Sequence, residues 1–137
     1  MSRSALVNCH YLQDEAITIE GINFYGSPWQ PWFYDWAFNL QRGDQIRAKW
    51  DLIPGNTDVL ITHGPPLGFG DLTSAGERVG CKDLLEAVER IKPTLHVFGH
   101  IHEAVGTHSD GKTTFINASI CDLSYRPVNK PCIYILQ

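Results

Sequence analysis

Residues 58–66 read DVLITHGPP, and residues 95–103 read LHVFGHIHE. Each opens on an apolar run of strand length, too short for a helix with its own turns, and each stops at glycine beside a histidine. Between them lie a Gly-rich loop (residues 67–79) and the segment GCKDLLEAVERI (residues 80–91). Leu84, Leu85, Val88 and Ile91 share one face of that segment, so it reads as an amphipathic helix. Strand, loop, helix and strand in this order predict an α/β layered fold with a mixed β-sheet and flanking helices. Ligand sites in such sheets gather beyond the carboxyl ends of parallel strands, where His63, His100 and His102 fall.

Working outward, residues 16–25 (AITIEGINFY) alternate β-branched and aromatic side chains around Glu20-Gly21, predicting two short strands in a hairpin. Residues 27–39 (SPWQPWFYDWAFN) hold three Trp, two Phe and a Tyr around and after two prolines; a regular helix is excluded, and an ordered aromatic loop is expected. Residues 43–53 place Ile46, Trp50 and Ile53 at helical spacing before Pro54-Gly55. Asp110-Gly111 predicts a hairpin turn between strands at residues 105–108 and 113–116. Residues 132–136 (CIYIL) read as a final strand.

The 137 residues are enough for one domain with its own core, expected to bury roughly 65–70% of the surface its unfolded chain exposes. Net charge is −4, with 43% hydrophobic and 19% charged residues. This mild acidity gives no electrostatic footprint for a nucleic-acid polymer or an anionic membrane. No run has the length of a signal peptide or a membrane span, so a cytoplasmic location is expected. Cys9, Cys81, Cys121 and Cys132 are scattered without a C-x-x-C pair, which predicts reduced and mostly buried thiols.

Neighbouring strands lie ~4.8 Å apart, so three imidazoles from two adjacent strand ends can converge on one centre. Gly64-Pro65-Pro66 turns the chain sharply after His63, and Gly99 lets it bend before His100. Neutral imidazole suits Mn, Fe, Zn or Ni. A single strand-end histidine is more often structural; three beside glycines make a metal site a comparable reading. His10, His96 and His108 lack such a setting and read as structural.

Thr62-His63-Gly64-Pro65-Pro66 followed by Gly99-His100-Ile101-His102-Glu103 resembles the last two motifs of calcineurin-like metallophosphoesterases. The metallophosphoesterase domain-containing branch is similar over nearly the whole chain, including residues 19–33 (IEGINFYGSPWQPWF), 62–69 (THGPPLGF) and 110–119. The chain is thus identified as the C-terminal part of such a domain, a partial two-sheet sandwich spanning residues 1–137. The resemblance implies that His63 and His100 bind one divalent ion (Mn, Fe or Zn) and His102 a second. It implies hydrolysis of phosphomonoesters or phosphodiesters, cyclic nucleotides among the candidates.

Asp-x-His, Gly-Asp-x-x-Asp and Gly-Asn-His-Asp/Glu segments, which the family also uses, do not occur in this sequence. Three neutral imidazoles neutralise no charge, so the chain is expected to bind at most one ion, weakly, with little turnover. A non-catalytic relative that binds a nucleotide or a partner chain is the alternative. Half a sandwich would expose an apolar sheet face, so self-association is also expected.

Overall fold

The computed structural model describes residues 5–136. It is an α/β structure built on a mixed six-stranded sheet, as the sequence pattern predicts. The hairpin at Glu20-Gly21 forms β1 (Glu15–Ile19) and β2 (Ile22–Ser27), with both turn residues at positive φ. β5 (Val59–Thr62) and β6 (Leu95–Phe98) are the two histidine-bearing runs, and β7 (Gly106–Ser109) and β8 (Thr114–Asn117) form the second hairpin. The strand order is β1-β2-β5-β6-β8-β7, with β2, β5, β6 and β8 mutually parallel and the two outer strands antiparallel. The carboxyl ends of four parallel strands therefore open on one edge of the sheet.

Two helices cover one face: α1 (Asp44–Trp50) and α2 (Lys82–Ile91). α1 stops three residues short of the expected end, yet Ile53 stays buried beside Ile46 and Trp50. On α2, Ala87 takes a buried place and Leu85 is only half-buried. Cys81 caps α2, its sulfur accepting from the Leu84 amide at 3.4 Å. Tyr25, Leu60, Phe98 and Phe115 from the sheet meet both helices in the main core, and Phe69 stacks on Phe115 with ring centroids 4.0 Å apart. Arg47 ties the helices together through Asp83 at 2.8 Å.

The opposite face is only partly covered. Val59, Leu95 and Ile116 are buried beneath Leu136, but Ile61 is 40% exposed and Ile19 44%. The expected final strand at residues 132–136 does not form. Leu136 packs across the middle of this face rather than beside an edge, so the backbone there has no neighbour to ladder with, and Ile133 and Ile135 point outward.

Two further expectations change. The aromatic loop does exclude a helix, and it is closed by a short parallel bridge between β3 (Gln30–Pro31) and β4 (Asn39–Leu40). Trp29 packs inward against the core and Phe38, but Trp32, Tyr34 and Trp36 are exposed. Of the cysteines only Cys81 is buried; Cys9 and Cys132 are exposed and lie outside the strands and helices. Among the described residues, no helix is long and apolar enough to cross a membrane.

Candidate functional site

His63 follows β5 directly and His100 follows β6 after Gly99. The parallel register that pairs Ile61 with Val97 brings these two chain ends together, and the Gly99 amide extends the ladder by donating to the His63 carbonyl at 3.0 Å. His63 Nε2 and His100 Nδ1 are 3.1 Å apart. His102 begins a single 3-10 turn (His102–Ala104) on the same edge. All three imidazoles line two cavities, one of about 400 Å³ and one of about 540 Å³.

The smaller cavity opens toward the uncovered sheet face and is walled by Ile61, Val97, Ser119 and Cys121. The larger lies under the aromatic loop, between Trp32, Phe33, Trp36, Arg42 and Tyr125. Phe33 meets His100 edge-on at 5.2 Å, and Tyr125 meets His102 edge-on at 5.4 Å. Sequence reading missed Arg42, whose cationic fork is held at the wall by the carbonyls of Val79 and Gly80 at 2.8 Å each. It missed Tyr125 as well. Neither sits in a pattern that the spacing of residues could single out.

The electrostatics keep the ring nitrogens available. Burial pushes His100 down to about 4, with smaller effects from His63 and His102. Desolvation lowers His63 as well, although its ring is the more open of the two. Both are neutral at pH 7, so one facing nitrogen donates to the other in the metal-free chain, and that ring presents its lone pair to an ion by moving its proton to the opposite nitrogen. His102 Nδ1 lies 2.9 Å from the Asp122 carbonyl. A carbonyl only accepts, so Nδ1 carries the proton and Nε2 keeps its lone pair. A backbone carbonyl behind an imidazole is the usual support for a ligand histidine.

The nearby acids are engaged elsewhere. Asp71 is fully buried against Arg78 and the amides of Gly68 and Gly80. Glu103 accepts from the Ser74 amide, and the Asp122 carboxylate is held by Arg126. It is therefore the Asp122 main chain that supports His102, and Glu103 does not.

Whether these residues suit a metal can be tested on the geometry. Two ligand atoms ~2.1 Å from one ion at right angles would be about 3.0 Å apart, and the His63–His100 separation is 3.1 Å. The pair fits one ion. Among the described residues no group of three His, Cys, Asp or Glu side chains is arranged to hold a metal. His102 faces the same cavities without joining that pair.

The imidazoles thus stand at the carboxyl ends of adjacent parallel strands of a mixed sheet, where ligand sites of α/β folds gather. The chain is similar over nearly its whole length to curated proteins named for a metallophosphoesterase domain. It is 56% identical over 133 residues to Metallophosphoesterase domain-containing protein 1 of Homo sapiens, a match covering 96% of this chain and 41% of the relative. The Mus musculus protein of the same name matches to the same extent. A UPF0046 protein of Caenorhabditis elegans is 49% identical over 134 residues, covering 97% of this chain and 34% of that protein. The chain thus spans about two fifths of the length of the mammalian relatives it matches. No family model matches it. A solved crystal structure superposes with a TM-score of 0.55 at 21% identity over 78% of this chain and 44% of that one, which supports the fold alone.

Proposed function

We propose that this chain supplies His63, His100 and His102 to a divalent-metal site for hydrolysis of phosphate esters, nucleotides and cyclic nucleotides among them. The 3.1 Å separation of the His63 and His100 ring nitrogens carries the reading. A divalent ion held there would act as a Lewis acid toward a phosphoryl oxygen. The chain's own residues do the rest. Arg42 offers a fixed cation at the cavity wall, and the Ser119 hydroxyl, buried and without a hydrogen-bond partner, lines the cavity beside the imidazoles. Trp32, Trp36 and Tyr125 offer faces for an aromatic leaving group or base.

A second divalent ion is not favoured by this chain alone. Two such ions ~4 Å apart repel by about 17 kcal/mol at an effective dielectric of 20, and among the described residues no carboxylate reaches between the imidazoles to offset it. Metal titration and a Mn²⁺-supplemented phosphodiester assay on the purified chain test the reading together. About one weakly bound ion per chain and slow, chelator-sensitive hydrolysis are expected. No bound ion and no hydrolysis would leave the non-catalytic binding reading in its place; two ions with rapid turnover would refute the one-ion account.

We also propose that the sheet face bearing Phe24, Ile61 and Val97 pairs with a second copy of the chain, because it is apolar and only partly covered by Leu136. Sedimentation should show mass rising with concentration, and Ile61→Lys should return the chain to a monomer. A wild-type monomer at high micromolar concentration would rule this out.

A further inference from the structure

Asn117 closes β8 and is 1% exposed, wedged between two chain segments that are both distant from it in sequence. Its Nδ2 donates to the Gly70 carbonyl at 3.0 Å and to the Ile101 carbonyl at 2.8 Å, while its Oδ1 accepts from the Ser119 amide at 3.1 Å. Both donors of the carboxamide are used, each on a different loop. Gly70 belongs to the Gly-rich loop; Ile101 stands between His100 and His102.

Each loop is conformationally demanding where Asn117 holds it. His100 has φ +72, a left-handed conformation that a side chain other than glycine adopts at a cost. Such strain persists only where the surroundings over-determine it. The Gly99 amide anchors the near end of the turn to the His63 carbonyl, but the bonds beyond it, from Ile101 to Gly99 and from Ala104 to Ile101, are short-range and do not tie its far side to the sheet. Asn117 does. At Gly70, φ is +62 and a Cβ would lie 3.1 Å from the Asn117 Cβ and 3.0 Å from the Phe98 ring, so the loop backbone is pressed against the clamp.

We infer that Asn117 is a positioning residue whose carboxamide holds the left-handed turn that aims His100 at His63 and locks the Gly-rich loop to that turn. The inference rests on the reading of His63 and His100 as a ligand pair. Without the two donors, the buried Gly70 carbonyl loses its side-chain donor and the Ile101 carbonyl keeps only the local Ala104 amide. The turn then relaxes toward ordinary backbone angles and carries the His100 ring away from His63, whose ring centroid lies 4.8 Å from it.

The test compares Asn117→Asp, which keeps the shape and the acceptor but not the donors, with Asn117→Ala and with Leu84→Ala. Leu84 is a main-core residue on α2, so its truncation lowers stability without touching the turn. In metal-free protein, NMR cross-relaxation between the His63 and His100 rings should vanish in both Asn117 variants and persist in Leu84→Ala. Zn²⁺ affinity measured by calorimetry should fall by about tenfold or more in the Asn117 variants only. Retention of the ring–ring signal in Asn117→Asp, or its equal loss in Leu84→Ala, would overturn the inference. If neither Asn117 variant folds, the wild-type carboxamide decides: two resolved, slowly exchanging protons support the clamp, and rapidly exchanging ones contradict it. A wild-type chain that binds no Zn²⁺ defeats the metal reading, while the ring–ring comparison still judges Asn117.

Discussion

Replacing His100 with glycine is expected to lower divalent-metal affinity at least about 100-fold, since loss of a group merely supporting a ligand already costs 10–100-fold. The same change should leave the metal-free protein close to wild type in stability. His100 occupies φ +72, where glycine is unstrained, so relief of backbone strain of about 1 kcal/mol offsets the lost contact with Phe33. Metal titration beside a thermal melt in chelator measures both quantities. Unchanged affinity would remove His100 from the site; a melt lowered by ten degrees or more would show that the ring is structural.

The second large effect is acid lability from His96. The side chain is fully buried between Phe98 and Phe115, and desolvation lowers it to about 3. Thr62 Oγ1 donates to the Gly64 carbonyl at 2.8 Å, so the 2.9 Å contact with His96 Nε2 must be donated by the ring. Nδ1 is then an unpartnered lone pair, and a proton there would put a charge among aromatic rings. In the unfolded chain His96 titrates near its ordinary 6.5. Between those two values the unfolded state binds a proton that the folded state refuses. The stability is thus fully present above pH 6.5 and is lost as pH falls from there toward 3.

The slope is about 1.4 kcal/mol per pH unit, or about 2 kcal/mol between pH 7 and pH 5. His96→Gln keeps a donor toward Thr62 and cannot be charged, so denaturant melts of the variant should lose that slope. Equal slopes in the two proteins would contradict the assignment. His63 and His100 shift in the same direction and add to the acid sensitivity of both.

The strands that carry the histidines were legible because apolar runs ending at Gly64 and Gly99 admit little else, and observed β6 (Leu95–Phe98) coincides with the predicted run. The 132–136 segment misled for a physical reason. Alternating apolar side chains satisfy a sheet surface as well as a sheet edge, and only the three-dimensional arrangement distinguishes the two. Proximity of His63 to His100 followed from adjacent parallel strands, but the left-handed turn at His100 could not be read from sequence, because only a few per cent of non-glycine residues adopt it. In the sequence, residues 117–119 read as a strand end and a structural turn, with hydrogen bonding near the site as the lesser alternative. The meaning of Asn117 depends on Gly70 and Ile101, 47 and 16 residues away, meeting at one carboxamide.

The most direct measurement follows the histidine ring nitrogens by NMR as Zn²⁺ is added to the metal-free chain. The account predicts that His63 Nε2 and His100 Nδ1 shift together, with one shared saturation point. Movement of His102 alone, or of no ring nitrogen at saturating metal, would contradict it.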